Sequence, residues 1–79
     1  MPLLSNVQLK PGDTLLVKDL SSVDLLVRKR LNDMGVVEES ELIFKSRMPF
    51  GGPLMLECNG QKLGVRCKEA GCIEVEFAC

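Results

Sequence analysis

Asn59-Gly60, set between two apolar runs, constrains this chain more than any other pair of residues. Both central residues of a type I′ turn need positive φ, and Asn-Gly supplies them most readily. A two-residue loop leaves no slack in the strands it joins. Cys58 then faces Gln61, Glu57 faces Lys62, Leu56 faces Leu63, Met55 faces Gly64 and Leu54 faces Val65. Alternation gathers Leu54, Leu56, Cys58, Leu63 and Val65 on one face, with Cys67 in phase. The other face takes the Glu57–Lys62 pair and Arg66. Cys58 and Cys67 are expected to point into the core at opposite ends of the hairpin, too far apart for a disulfide.

Other segments fall into place around this hairpin. Leu9-Lys10-Pro11-Gly12-Asp13 is a turn signal, with Pro presetting φ and Gly accepting the positive φ that follows. The aliphatic run from Thr14 to Leu20 reads as a strand. Val23, Leu26, Val27, Leu31 and Met34 then recur at helical spacing, which predicts a helix over 22–34. A serine is expected to cap it, Asp24 suits its positive end, and Gly35 ends it. Its Arg28-Lys29-Arg30 cluster reads as a solvated face, with a docking patch for an acidic partner as the alternative. From Glu41 to Arg47 the pattern alternates, Leu42, Phe44 and Ser46 on one face. Lys68-Glu69-Ala70-Gly71 reads as a tight turn, and 72–77 as a last strand with Ile73, Val75 and Phe77 inward.

With 79 residues the chain makes one domain, 1–79, too short for the crossovers of a parallel sheet. Short antiparallel strands favour a closed or nearly closed sheet, which hides its edges. The expected fold is mainly β, a small SH3-like barrel of about five antiparallel strands with one short α-helix after the first strand. Three Phe and no Trp or Tyr leave the core to aliphatic side chains.

Several function classes lose their chemistry here. A net charge of −1 and so few aromatics argue against nucleic-acid binding. No apolar run approaches the roughly 20 residues of a membrane span, so no membrane insertion is expected. The N-terminus lacks the pattern of a signal peptide, which makes the cytoplasm the expected compartment. Without His the commonest general base near neutral pH is missing, and no P-loop pattern occurs, so the chain reads as no enzyme. Cysteines at 58, 67, 72 and 79 do not follow the usual zinc spacing. Reduced thiols, some acting as small core hydrophobes, are the first reading, with metal ligation and disulfides as alternatives. No cofactor is expected. A weak site for Fe²⁺ or another transition metal ion would have to combine carboxylates and thiols such as Glu74, Glu76, Cys72 or Cys79.

The stretch that asks for a role is Met48, Pro49, Phe50, Gly51, Gly52 and Pro53. It places two prolines, two glycines and two large apolar residues in one loop. Either Phe50 folds back over an open end of the barrel, or the loop protrudes as a partner-binding contact stiffened by proline.

Four segments together resemble the FeoA family. They are Leu9-Lys10-Pro11-Gly12-Asp13, the helix ending Arg30-Leu31-Asn32-Asp33-Met34-Gly35-Val36, the loop Pro49-Phe50-Gly51-Gly52-Pro53-Leu54, and Leu63-Gly64-Val65-Arg66 followed by Glu69-Ala70 and Ile73-Glu74-Val75. The resemblance runs from about residue 7 to 77. One departure is Glu38-Glu39-Ser40, in a turn where family members often have Gly. The resemblance implies a cytoplasmic partner of the FeoB-type ferrous iron permease that contacts its cytosolic GTPase region. The same domain type also ends iron-dependent repressors. With Met1 at the start and no DNA-binding domain ahead, the stand-alone accessory is the preferred reading.

Overall fold

The computed structural model of the protein describes residues 3–5, 7–49 and 52–78. Five strands are present: β1 (Thr14–Asp19), β2 (Glu41–Arg47), β3 (Leu54–Cys58), β4 (Gln61–Val65) and β5 (Glu74–Phe77). They form one antiparallel sheet in the order β4-β3-β2-β1-β5. Helix α1 (Leu25–Asp33) lies between β1 and β2, and a one-turn helix α2 (Cys67–Ala70) between β4 and β5.

The β3–β4 register is the one the turn requires. Leu54 pairs with Val65, Leu56 with Leu63 and Cys58 with Gln61. Asn59 and Gly60 take φ of 53° and 81°, which glycine adopts freely. Leu54, Leu56, Cys58, Leu63 and Val65 are all buried. They join Leu15, Val17, Leu42, Phe44, Ile73 and Val75 from the other strands in one cluster. The sheet therefore curls around a single aliphatic core, closed below by Val23, Leu31 and Val36.

Two bulges adjust the alternation. The β2–β3 register shifts between Phe44 and Ser46, so Ser46 is exposed instead of following Leu42 and Phe44 inward. A second shift between Val17 and Asp19 sets Lys18 outside the ladder. There Lys18 Nζ reaches Glu39 at 3.0 Å and Glu76 at 3.7 Å.

Helix α1 starts later than its periodicity suggests. Asp24, not a serine, is the cap, and its Oδ1 accepts the Leu26 N–H at 3.2 Å. The last turn closes with Val36 N–H to Leu31 O at 2.8 Å and Gly35 N–H to Asn32 O at 3.0 Å, a Schellman pair. Starting at Leu25 leaves Leu26 outside the core, where a helix begun at Ser22 was expected to bury it.

Three further expectations are corrected near the C-terminus. The expected tight turn at 68–71 is α2, a second helix. It holds because the Glu69 carboxylate accepts the Arg66 N–H at 3.2 Å and receives Arg30 Nη2 at 3.0 Å. With β4 ended at Val65, Cys67 opens that turn and is only half-buried, not in phase with the hairpin core. Phe77 is 45% exposed, because β5 lies at the sheet edge and its last residues pass beyond the core.

Candidate partner-docking surface

Loop 48–53 is the excursion between Arg47 and Leu54, which pair at the ends of β2 and β3. Its base is closed by the Met48 N–H donating to Pro53 O at 3.1 Å. The Gly52 N–H donates to Pro49 O at 3.2 Å. A Cβ on Gly52 would stand 2.7 Å from Met48 Cβ and 3.2 Å from Pro49 O, so no side chain fits there. Cys67 Sγ donates to Gly52 O at 3.5 Å and ties the loop to the start of α2.

These bonds fix the stem of the loop at both ends. Met48 is 45% exposed and Pro49 is exposed, while Gly52 and Pro53 are half-buried. Phe50 and Gly51, the other two residues of the expected site, lie outside the described residues. Beside the stem, on the outer face of the sheet, is a shallow cleft of about 250 Å³ lined by Lys45, Ser46, Met55, Leu56 and Lys62. Lys45 Nζ also pairs with Glu57 at 3.6 Å. Gly64 leaves space that the Met55 thioether and the Pro53 ring approach from either side. The loop and this cleft thus form a continuous patch that is apolar at Met48, Pro53 and Met55 and basic at its rim.

A second apolar surface went unnoticed in the pattern. Leu25 and Leu26 are each 77% exposed at the first turn of α1. Their spacing from Leu31 could have revealed it: five and six residues away, neither leucine is at the three- or four-residue separation that shares Leu31's face. The basic cluster on α1 is only partly a solvated face: Lys29 is exposed, but Arg30 bridges to Glu69 on α2.

Titratable groups give the region modest electrostatics. The Glu39 carboxylate, bonded to its ammonium, raises Lys18 above its ordinary value. The Ser21 backbone N–H holds Asp19 below the usual carboxylate range. Burial pushes the Cys58 thiol up. Among the described residues no three His, Cys, Asp or Glu side chains converge as metal ligands. Of the four residues weighed for a weak site, Glu76 faces Lys18, Cys72 Sγ donates to Lys68 O at 3.9 Å, Glu74 pairs with Asp19 across β1 and β5, and Cys79 lies outside the described residues. No helix among the described residues is long and apolar enough to cross a membrane.

A curled five-stranded antiparallel sheet over an aliphatic core defines a small SH3-like domain. The FeoA domain family matches residues 2–77. The chain belongs to the FeoA family. The solution structure of FeoA from Chlorobium tepidum is 35% identical, with a TM-score of 0.86 over 99% of this chain and 71% of that one. FeoA from Stenotrophomonas maltophilia, solved in complex with zinc and described as a prokaryotic SH3 domain protein, is 26% identical. Its TM-score is 0.68 over 96% of this chain and 91% of that one. A manganese-dependent transcriptional repressor shares the fold at a TM-score of 0.81. At 22% identity, over 98% of this chain and 36% of the repressor, that likeness carries the fold alone. Comparison with curated protein sequences gives no match.

Proposed function

We propose that this chain is a cytoplasmic accessory or regulatory protein of ferrous iron transport, acting by binding the cytosolic region of a FeoB-type permease. It performs no bond-making chemistry of its own. The observation that supports this most is the exposed stem of loop 48–53: Met48 is 45% exposed on a base fixed by Pro53 O and Cys67. A rigid apolar contact loses little entropy on docking, and Met and aromatic side chains serve well as anchors. Family membership supports a role in ferrous iron transport.

Titration of the protein against the permease's soluble cytosolic region, read by calorimetry, tests this. The double variant Met48→Ala, Phe50→Ala should bind about tenfold or more weakly, as loss of a central anchor does. Its thermal midpoint should stay nearly unchanged. Intact affinity with a large loss of stability would assign the loop to the core instead.

A further inference from the structure

Between α1 and α2 lies a second cleft of about 250 Å³, on a different side chain set from the loop. Val23, Val27 and Cys72 give it an apolar floor, and Asp24, Arg66 and Lys68 stand at its rim. We infer that this cleft receives a short acidic peptide segment carrying an apolar anchor.

Size argues first. Pockets that enclose a drug-sized molecule run to roughly 300–1,000 Å³, so this one suits a side chain projecting from a segment rather than a whole small molecule. Charge argues second. Of the carboxylates at the cleft, Glu69 is paired with Arg30, while Asp24, whose Oδ1 accepts the Leu26 N–H, keeps its charge. Arg66 and Lys68 are exposed and form no ion pair among the described residues. Two cations, Arg66 and Lys68, then stand against the single carboxylate of Asp24, so the rim is net positive although the chain as a whole carries −1. Apolar reach argues third. Leu26 stands one turn before Arg30, on the flank from which Arg30 crosses to Glu69, and is 77% exposed. An acidic, apolar-anchored segment meets all three features at once, whereas a basic segment meets repulsion at the rim.

Labelled synthetic peptides test the inference on the intact protein. One carries Leu at helical spacing with Glu between, a second keeps the Leu but replaces Glu by Lys, and a third keeps the Glu but replaces Leu by Ser. The first should bind and shift the backbone amides of Val23, Val27 and Arg66 in NMR spectra. The other two should bind at least tenfold more weakly. In the Arg66→Gln, Lys68→Gln variant the first peptide should lose about tenfold in affinity, as removal of two exposed charge pairs implies. Equal binding of the Lys peptide, shifts confined to loop 48–53, or the same amides shifting with protein concentration alone would overturn the inference. The last of these would give the cleft to a second copy of the chain. Should the variant fail to fold, the comparison of the three peptides on the unaltered protein still decides.

Discussion

Glu39 carries the sharpest local tension in the chain. Its φ is 75°, in the left-handed region that glycine adopts freely and that few L residues besides Asn and Asp enter. The turn over-determines it: the Glu39 N–H donates to Val17 O at 2.6 Å, the Ser40 N–H to Val37 O at 3.0 Å, and the carboxylate takes Lys18. The glutamate adopts this glycine-like backbone at a cost of about 1–2 kcal/mol. Glu39→Gly relieves that strain but loses an exposed ion pair and adds chain entropy to the unfolded state. Stability should stay within about 1 kcal/mol. Glu39→Val keeps the strain and adds a β-branch, and should cost about 2 kcal/mol in urea unfolding.

Cys58 adds a pH dependence. Burial holds its thiol above the ordinary value, so the folded chain keeps that proton to higher pH than the unfolded chain does. Its contribution is complete below the unfolded thiol's pKa, about 8.5, and is lost as pH rises through the higher folded value. The thermal midpoint should therefore fall on the alkaline side, and Cys58→Ala should flatten that part of the profile.

Among the elements, the β3–β4 hairpin was legible in full, because one turn type and one alternation demanded the same register. Helix α2 was not legible. Four residues cannot sustain a helix by propensity, since nucleation is unfavourable and propagation has no length in which to compensate. Its stability comes chiefly from Glu69, which caps the Arg66 N–H and takes Arg30, 39 positions before it in the chain, as a second partner. Glu69 satisfies both the Arg66 N–H and Arg30, and its side chain is only 14% exposed. Glu69→Ala should thus cost about 1–2 kcal/mol by chemical unfolding, while Arg30→Ala, which removes one exposed partner, should cost less than about 1 kcal/mol. Equal losses would mean that the cross-helix pair, not the cap, holds α2.

For the molecule as a whole, the N-terminal segment matters more than its composition suggested. Leu4 is fully buried, its N–H donates to Ile73 O at 2.8 Å, and Leu3 bridges Glu74 at the β5 edge. The segment covers an edge that would otherwise stand open. Leu4→Ala should lower stability by about 2–4 kcal/mol. In a domain this small that is a large part of the total, and the circular-dichroism melt should move down by many degrees. Among the described residues no three ligand side chains converge. Fe²⁺ and Zn²⁺ titrated under reducing conditions should bind no more tightly than to a Cys72→Ser variant, and clearly tighter binding would restore a thiol-based site.

Local chemistry settled what depends on neighbours in sequence. The hairpin turn, its register, the inward face of β3 and β4 and the apolar loop at 48–53 all follow from φ preferences and the two-residue period. What depends on residues far apart in the chain came only with the folded sheet. Where a bulge falls, that Cys67 leaves the hairpin core, that Phe77 ends at an edge and that Leu25 and Leu26 face outward are set by packing, and packing is decided by which distant surfaces meet. Side-chain period reports which residues share a face; only the closed core determines which face is inside.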